Sequence, residues 1–456
     1  MSETVDVVVV GMGPGGEAVA EQLAEAGLAV VGVEAHLVGG ECPYYGCVPS
    51  KMMIRAADAL AEARRVAELA GTASVTPDFA PVAARIRAEA TDSWDDKVAV
   101  DRFVGKGGRF VRGHGRLTGP RTVAVEAPSG ERTEFTARRA VVLNPGTDPA
   151  IPPILGLADS PYWTNREAVA VEQAPESLIV IGGGTVGLEL AQAFARFDTR
   201  VTVVEAAERL LPMEEPESGD LVAEVLRDEN VTVRTGARIT AVRHDDAGFT
   251  VDVDGHQVTA QQLVVATGRR PKLADLGLDV VGLDPTARFL DPDERMRIAD
   301  GVYAIGDVTG HGAFTHVSMY QANIAIRHIL GQDGPPARYH AVPRVTFTDP
   351  EVGAVGLTEA QARQQGLTIR IGTAAVPSSA RGWIHKAGNQ GLIKLIEDAA
   401  RGVLVGATSV GPHGGEVLSM LALAVHAGVP TDQVRQMIYA YPTFHRAVED
   451  ALATLG

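Results

Sequence analysis

One device, written twice, restricts the folds open to this 456-residue chain. In the first copy the valine-rich run 5–10 leads directly into Gly11-Met12-Gly13-Pro14-Gly15-Gly16. An alanine-rich stretch to residue 26 reads as a helix, and 29–33 as a second strand closed by Glu34. In the second copy the run 177–181 leads into Gly182-Gly183-Gly184-Thr185-Val186-Gly187. A helix continues to residue 197, and the strand 200–204 is closed by Glu205. Each glutamate stands 18 residues after the third glycine of its motif. Valine-rich runs of this kind suit parallel strands buried on both faces. Gly11 and Gly182 make the tight turn out of the strand, Gly13 and Gly184 let the backbone approach a pyrophosphate, and Gly16 and Gly187 let helix and strand pack closely. The helix N-terminus favours the phosphate charge, and Glu34 and Glu205 are placed to accept hydrogen bonds from ribose hydroxyls. A lone glycine motif is a weak signal. Strand, glycines, helix, strand and terminal Glu, all repeated, specify an α/β chain with two Rossmann-like dinucleotide-binding domains.

The length exceeds one ordinary core and implies roughly two to four domains. Hydrophobic residues make up 45% and charged residues 21%, a globular composition. The net charge of -16 comes without a basic block, so neither nucleic acid nor an anionic membrane is an expected partner. The glycines after residue 10 interrupt the first apolar run, which reads as a buried strand and not as a signal peptide. No stretch approaches the roughly 18 uninterrupted apolar residues that span a membrane. The expected compartment is the cytoplasm, where a thiol pair is catalytic more often than structural. Between and beyond the two devices, 51–70 and 91–104 read as helices and 139–143 as a strand.

Both cysteines of the chain lie in Gly39-Gly40-Glu41-Cys42-Pro43-Tyr44-Tyr45-Gly46-Cys47-Val48-Pro49-Ser50-Lys51. A structural disulfide, half of a metal site and a redox pair are the three readings. A staple across so short a loop gains little from loop closure. Zinc takes about four ligands, and only His36 lies nearby, so no metal is expected. The redox reading leads, and it requires an electron source elsewhere in the chain.

The pattern Gly-Gly-x-Cys-x4-Cys-x-Pro-Ser-Lys, beside two dinucleotide devices, resembles the flavoprotein pyridine nucleotide-disulfide oxidoreductases. That family includes dihydrolipoamide dehydrogenase, glutathione and mycothione reductases, and mercuric reductase. Three further stretches are similar to family motifs: Val264-Val265-Ala266-Thr267-Gly268-Arg269-Arg270-Pro271, Val302-Tyr303-Ala304-Ile305-Gly306-Asp307 and Thr348-Asp349-Pro350-Glu351-Val352-Gly353. Asn144-Pro145-Gly146-Thr147 stands where the family usually shows Ala-Thr-Gly. The resemblance implies an FAD-binding domain over 1–150 that returns over 271–340, an NAD(P)-binding domain over 151–270, and a C-terminal α+β dimerisation domain over 341–456. It implies that FAD occupies the first device, with Gly306 and Asp307, and NAD the second, with Gly268 on its exit strand. NADP is less expected, because Glu205 would repel a 2′-phosphate and Arg209 is the nearest cation. Electrons would pass from NADH through the flavin to a Cys42–Cys47 disulfide and on to a small-molecule or protein disulfide. By the family's order Cys47 lies next to the flavin, and Cys42 is the more exposed thiol that attacks the substrate. Lys51 matches the family lysine near the flavin, and Glu189 its carboxylate partner. A homodimer with shared active sites follows from the same resemblance.

The chain departs from the family near its end. The family carries a His-Pro pair with a Glu that orients the His, which serves as acid and base for the outer thiol. Here Tyr441 precedes Pro442, and Arg446 takes the place of the Glu. An ordinary tyrosine has a pKa of about 10 and does not replace a histidine base near pH 7. With Pro442 as the first residue of a helix, Tyr441 and His445 would share one face. Tyr441 would then be a positioned hydroxyl near Cys42, with His445 as proton carrier. The alternative function is reduction of a quinone, a metal ion or another non-disulfide acceptor on the same fold. A non-catalytic flavin protein is a third reading, opposed by the intact cysteine pair. Mercuric reductases of the usual kind carry a further C-terminal cysteine pair that does not occur here.

Overall fold

The structure, a computed structural model, describes residues 2–456. It divides into two compact units. The first comprises Met1–Pro49, Arg85–Ala150 and Arg269–Tyr339. Its main sheet runs in the order Arg297–Ala299, Val302–Ala304, Arg132–Leu143, Ser2–Val10, Val30–Glu34, Arg109–Arg112, with the strands His114–Gly119 and Thr122–Glu126 continuing from the side of Arg132–Leu143. Ser2–Val10 is parallel to both neighbours, with Val7 opposite Val30 on one side and Ala140 on the other. Successive side chains of a strand point to opposite faces. Val7 and Val9 accordingly pack with Val19 and Leu23 of the helix Pro14–Glu25 and with Ala322 and Ile326 of the helix Thr315–Ile329. Val8 and Val10 pack on the other side with Leu117, Phe135 and Leu278. Burial on both faces is why the run 7–10 contains only valine; each such side chain contributes about 1.5–3 kcal/mol when taken out of water.

The second unit comprises Ser50–Ala84, Ile151–Gly268 and His340–Gly456. It holds a parallel sheet in the order Thr232–Arg234, Arg200–Val204, Ser177–Ile181, Gln262–Val265, and a three-stranded antiparallel sheet, Ile239–Asp245, Gly248–Val253, His256–Ala260. A five-stranded antiparallel sheet follows in the order Pro343–Thr346, Glu351–Gly356, Val403–Gly411, Leu392–Asp398, Ile369–Ala375. Leu418 and Leu421 of the helix Gly414–Ala427 and Val448 and Leu452 of the helix Ala447–Ala453 form its core with Val355, Leu395 and Leu404. Two dinucleotide-type sheets and a C-terminal α+β layer are thus present in one chain.

The turn out of each first strand admits only glycine. A Cβ on Gly11 (φ +92°) would sit 2.1 Å from the Asn144 carbonyl oxygen, and one on Gly182 (φ +115°) would sit 2.3 Å from that of Ala266. The helix expected over 91–104 begins only at Lys97. Asp92, Ser93 and Trp94 all have positive φ, a left-handed turn that a right-handed helix cannot cross. Among the described residues no helix is long and apolar enough to cross a membrane, and no cluster of His, Cys, Asp and Glu gathers as a metal site.

Candidate active site

The two glutamates that close the second strands do the same work in each unit. Glu34 accepts from the backbone N–H of Met12 (2.7 Å) and of His36 (2.8 Å). Glu205 accepts from Gly183 (2.5 Å) and Ala207 (2.6 Å). Each carboxylate therefore ties its strand end to the residue after the first glycine, which draws acceptor oxygens up to the glycine turn. The middle glycine of the second unit is different in kind. A Cβ on Gly184 would meet nothing within 4 Å, so packing within the protein does not demand glycine there. Close approach by a ligand does, and this fits a dinucleotide pyrophosphate.

In the first unit, Gly306 and Asp307 open a short turn after the strand Val302–Ala304. The Gly306 N–H donates to Oε1 of the fully buried Gln321 (2.6 Å). Thr147 donates from its hydroxyl to Asp307 Oδ2 (2.8 Å), while Arg269 donates from Nε to that same hydroxyl oxygen (2.7 Å) and from Nη2 to the Thr147 carbonyl (2.7 Å). An arginine only donates, so the single Thr147 proton is committed to Asp307. Burial pushes the Asp307 carboxyl up; Thr147 and Arg269 oppose that shift. A carboxylate has about four acceptor sites, so Asp307 can take a further donor beside Thr147, which fits the polyol chain of a flavin. With its amide set to serve both ends, Asn144 accepts from Gly16 N (3.0 Å) and donates to the Ile305 carbonyl (3.1 Å), so the departure from Ala joins the two halves of this site.

Cys42 lies in the short helix Glu41–Tyr44 and is half-buried; Cys47 opens the long helix Cys47–Leu69 and is exposed. This reverses the expected order of exposure in the protein alone. The reason is local: Cys42 sits in a turn anchored by buried Tyr44, whereas Cys47 stands at a helix start. Cys47 Sγ is 3.5 Å from Thr315 Oγ1. One turn into the same long helix is Lys51. In the second unit Lys51 Nζ lies 2.7 Å from Glu189 Oε2 and 4.7 Å from the centre of the Phe347 ring. Glu189 is 4% exposed, and its other oxygen accepts from the Phe347 N–H (2.9 Å). Each carboxylate oxygen therefore has a partner, and the lysine lies between a charge and an aromatic face.

The expected helix at Pro442 does not form. Thr443 is extended (φ -137°, ψ 158°), a short 3₁₀ turn covers Phe444–Arg446, and the α-helix starts at Ala447. Tyr441 and His445 are consequently not on one helical face. Tyr441 is 70% exposed, with the Arg446 guanidinium 5.3 Å from its ring centre. His445 Nε2 is 3.5 Å from the Thr443 hydroxyl, and its ring lies beside Tyr439. Arg446 pairs with Glu449 (3.0 Å). Gly268 (φ +105°) leads into the short strand Arg269–Pro271, which pairs with Thr147–Pro149. Sequence reasoning missed Thr147, Thr315, Gln321 and Phe347. No spacing rule links Thr147, Thr315 or Phe347 to partners more than a hundred positions away, or marks Gln321 as the residue that bonds Gly306, Thr309 and Tyr339; Thr147 and Arg269, inside the recognised Asn-Pro-Gly-Thr and Gly-Arg-Arg-Pro stretches, carried a signal.

The family model described as pyridine nucleotide-disulphide oxidoreductase matches residues 5–327, and that of its dimerisation domain matches residues 342–452. The chain is 30% identical to the dihydrolipoyl dehydrogenase of Bacillus subtilis (strain 168), an alignment covering 100% of this chain and 99% of the relative. It is 32% identical to a mercuric reductase of Shigella flexneri, covering 100% of this chain and 81% of the relative. Among solved structures, the Cu(II) complex of the HOCl-induced flavoprotein disulfide reductase RclA from Escherichia coli is similar with a TM-score of 0.87 at 26% identity, covering 99% of each chain. LpdA from Mycobacterium tuberculosis is similar with a TM-score of 0.86 at 26% identity, again covering 99% of each chain.

Proposed function

The chain belongs to the pyridine nucleotide-disulphide oxidoreductase family, and we propose that Cys42 and Cys47 are its redox pair, reducing a low-molecular-weight or protein disulfide. It is an FAD- and NAD(H)-dependent oxidoreductase that acts on a sulfur group. The observation that carries the assignment of the pair is the Lys51–Glu189 contact at 2.7 Å, one turn into the helix that Cys47 opens. A buried carboxylate with a partner on each oxygen, holding a partly buried lysine cation at that point, supports reading the pair as an electrostatic device. Gly11, Gly13, Gly16, Glu34, Gly306 and Asp307 would hold FAD; Gly182, Gly184, Gly187, Glu205 and Gly268 would hold NAD. We assign FAD binding to 1–150 and 271–340, NAD binding to 151–270 and dimerisation to 341–456.

Bound FAD supplies a two-electron relay between the nicotinamide and the cysteine pair. Everything else falls to the protein. Once the pair is reduced, Cys42 attacks a sulfur of the substrate as a thiolate and forms a mixed disulfide; Cys47 then attacks Cys42, releases the second product thiol and restores the internal bond. The attacking sulfur must lose its proton, and the departing thiolate must gain one. Tyr441 and His445, carried by the dimerisation segment, are the groups we assign to that proton traffic in a shared active site of the homodimer. We place the enzyme in the cytoplasm, with neither nucleic acid nor membrane as partner.

The test is turnover with NADH on a panel of lipoamide, other small disulfides, a protein disulfide, a quinone and Hg(II). Reduction of one of the disulfides, lost in Cys42→Ser, is the expected result. Rapid quinone or Hg(II) reduction that survives Cys42→Ser, with every disulfide inert, would overturn the reading. Tyr441→Phe and His445→Ala, assayed across pH on the best acceptor, test the proton carriers. Removal of a real acid or base should lower kcat by about 10²–10⁴-fold and delete an ionisation from the profile; parental profiles in both variants would remove both residues from the mechanism.

A further inference from the structure

We propose that Arg196 is a positioning residue for the reaction: it fixes where the Lys51 ammonium stands, by holding both elements that carry the Lys51–Glu189 pair. The inference rests on the reading of Lys51 as the cation that serves the redox pair.

The first element is the helix of Lys51 itself. Lys51, Asp58 and Arg65 recur every seven residues along the helix Cys47–Leu69. Glu189, Gln192 and Arg196 recur at three and four residues along the helix Thr185–Arg196. At 3.6 residues per turn each set shares one face of its helix. Glu189, Gln192 and Arg196 are all buried. Two rungs join the faces: Lys51 Nζ lies 2.7 Å from Glu189 Oε2, and Arg196 Nη1 donates to Asp58 Oδ1 (2.6 Å). They stand two turns apart, about 10 Å along each axis. A helix is stiff over two turns, so the Asp58 rung sets the height at which Lys51 meets Glu189.

The second element is the segment after the strand Pro343–Thr346. Phe347 supplies both the N–H bonded to Glu189 and the ring beside Lys51. Two residues further on, Asp349 Oδ2 accepts from Arg196 Nη2 (2.8 Å) and from Arg65 Nη2 (2.7 Å). Gln192 takes both backbone groups of Asp349, accepting from its N–H (2.7 Å) and donating to its carbonyl (2.9 Å). Arg196 is itself anchored, since Glu229 accepts from its Nε (3.0 Å) and Nη2 (2.6 Å). The guanidinium fork is planar and rigid, so one side chain fixes the Lys51 helix and the Phe347 segment relative to each other. Well-packed apolar residues of similar volume often hold such a site as firmly as buried charges do. Directional bonds add a fixed register, and a register is what the Lys51–Glu189–Phe347 arrangement needs.

The experiment uses the FAD-loaded enzyme at pH 7. A brief, low dose of N-hydroxysuccinimidyl acetate acylates lysines, and mass spectrometry reads each site. Lys394, held in the same unit by Glu215 (2.9 Å), Glu217 (2.7 Å) and Glu359 (3.0 Å), reports general loosening, and exposed Lys97 reports the dose. Asp58→Asn removes one arm of the centre at equal size and leaves Arg196 in place, so the test does not depend on Arg196→Met folding. Arg64→Gln is the control, because it breaks only the exposed Arg64–Asp198 bridge (3.1 Å) from the same helix. Labelling of Lys51 relative to Lys394 should rise about threefold or more in Asp58→Asn and stay at the parental value in Arg64→Gln. With NADH and the best acceptor of the panel, kcat should fall by about tenfold or more in Asp58→Asn, with KM for NADH unchanged. In a Lys51→Met background, Asp58→Asn should cost nothing further, since both changes act on the same group. An unchanged Lys51 ratio, Lys51 and Lys394 rising together, or full additivity in the cycle overturns the inference alone. A Lys51→Met enzyme that turns over like the parent overturns the reading of Lys51, and this inference with it.

Discussion

The preference for NADH over NADPH can be taken from geometry to a number. The two cofactors differ by one phosphate on the adenosine ribose, and Glu205 closes the strand end where that ribose binds in a Rossmann unit. Glu205 cannot swing aside cheaply, since its oxygens accept from Gly183 N at 2.5 Å and Ala207 N at 2.6 Å. Arg209, the nearest cation along the chain, does not offset it. Its guanidinium is spent on the carbonyls of Leu211 (2.9 Å), Pro212 (2.8 Å) and Glu214 (2.9 Å). A phosphate monoester carries a charge of about -1.5 to -2 at pH 7. At about 6 Å and an effective dielectric of about 40, suited to a half-exposed carboxylate, the repulsion is about 2 kcal/mol, or roughly 30-fold. Glu205→Gln removes the charge but keeps one acceptor oxygen for the glycine turn. Steady-state kcat/KM for both cofactors is the assay, and the ratio cancels any general damage to the domain. The parent should favour NADH by at least about 30-fold, and the variant should close the gap by about tenfold or more. A parent that prefers NADPH, or a ratio that moves less than about threefold, would show that Glu205 does not set the choice.

Three further outcomes are expected. Cys42→Ser and Cys47→Ser should both abolish disulfide turnover, but only Cys42→Ser should retain long-wavelength absorbance; identical spectra would reject the assigned order of the sulfurs. Arg196 is 3% exposed and holds Asp58 (2.6 Å), Glu229 (2.6 Å) and Asp349 (2.8 Å). Arg196→Met should therefore cost about 3–5 kcal/mol in urea unfolding at pH 7. The sign with pH follows from the carboxyls. Burial pushes Asp58 up to about 6 even beside Arg196, so its ionisation opposes folding as pH rises through that value; Asp349, opposed by burial, is held below its ordinary value by Arg196 and Arg65, and its contribution is lost as pH falls. Without Arg196 the Asp58 and Asp349 carboxyls shift upward, so the deficit should shrink between pH 7 and pH 5; a deficit equal at both would refute the network. Ile438 (96% exposed) and Leu423 (65% exposed) lie in the dimerisation segment. Ile438→Asp combined with Leu423→Asp should give monomers in sedimentation, and a dimer persisting at nanomolar protein would exclude that face from the interface.

The sequence by itself determined whatever depends on neighbours along the chain. Strand, glycine turn, helix and closing Glu are local, and steric exclusion at Gly11 and Gly182 makes their pattern readable without a fold. The same holds for the Cys42–Cys47 spacing and for the family resemblance it carries. Local reasoning failed where a single residue's backbone decided the outcome. Thr443 is extended and stops the helix that Pro442 seemed to start, and three positive-φ residues delay the helix at Lys97. Tertiary structure alone decided the partners. Nothing at position 315 marks a threonine as the neighbour of Cys47, and nothing at position 347 marks a phenylalanine as the cover for Lys51. Likewise Arg196 lies inside the helix expected to run to residue 197, with nothing to single it out, and proves to be the buried centre of three carboxylates. The physical reason is that glycine turns and strand runs are dictated by covalent geometry and burial period, which short stretches encode. A hydrogen bond between side chains hundreds of positions apart exists only once the packed sheets have brought its two ends within reach.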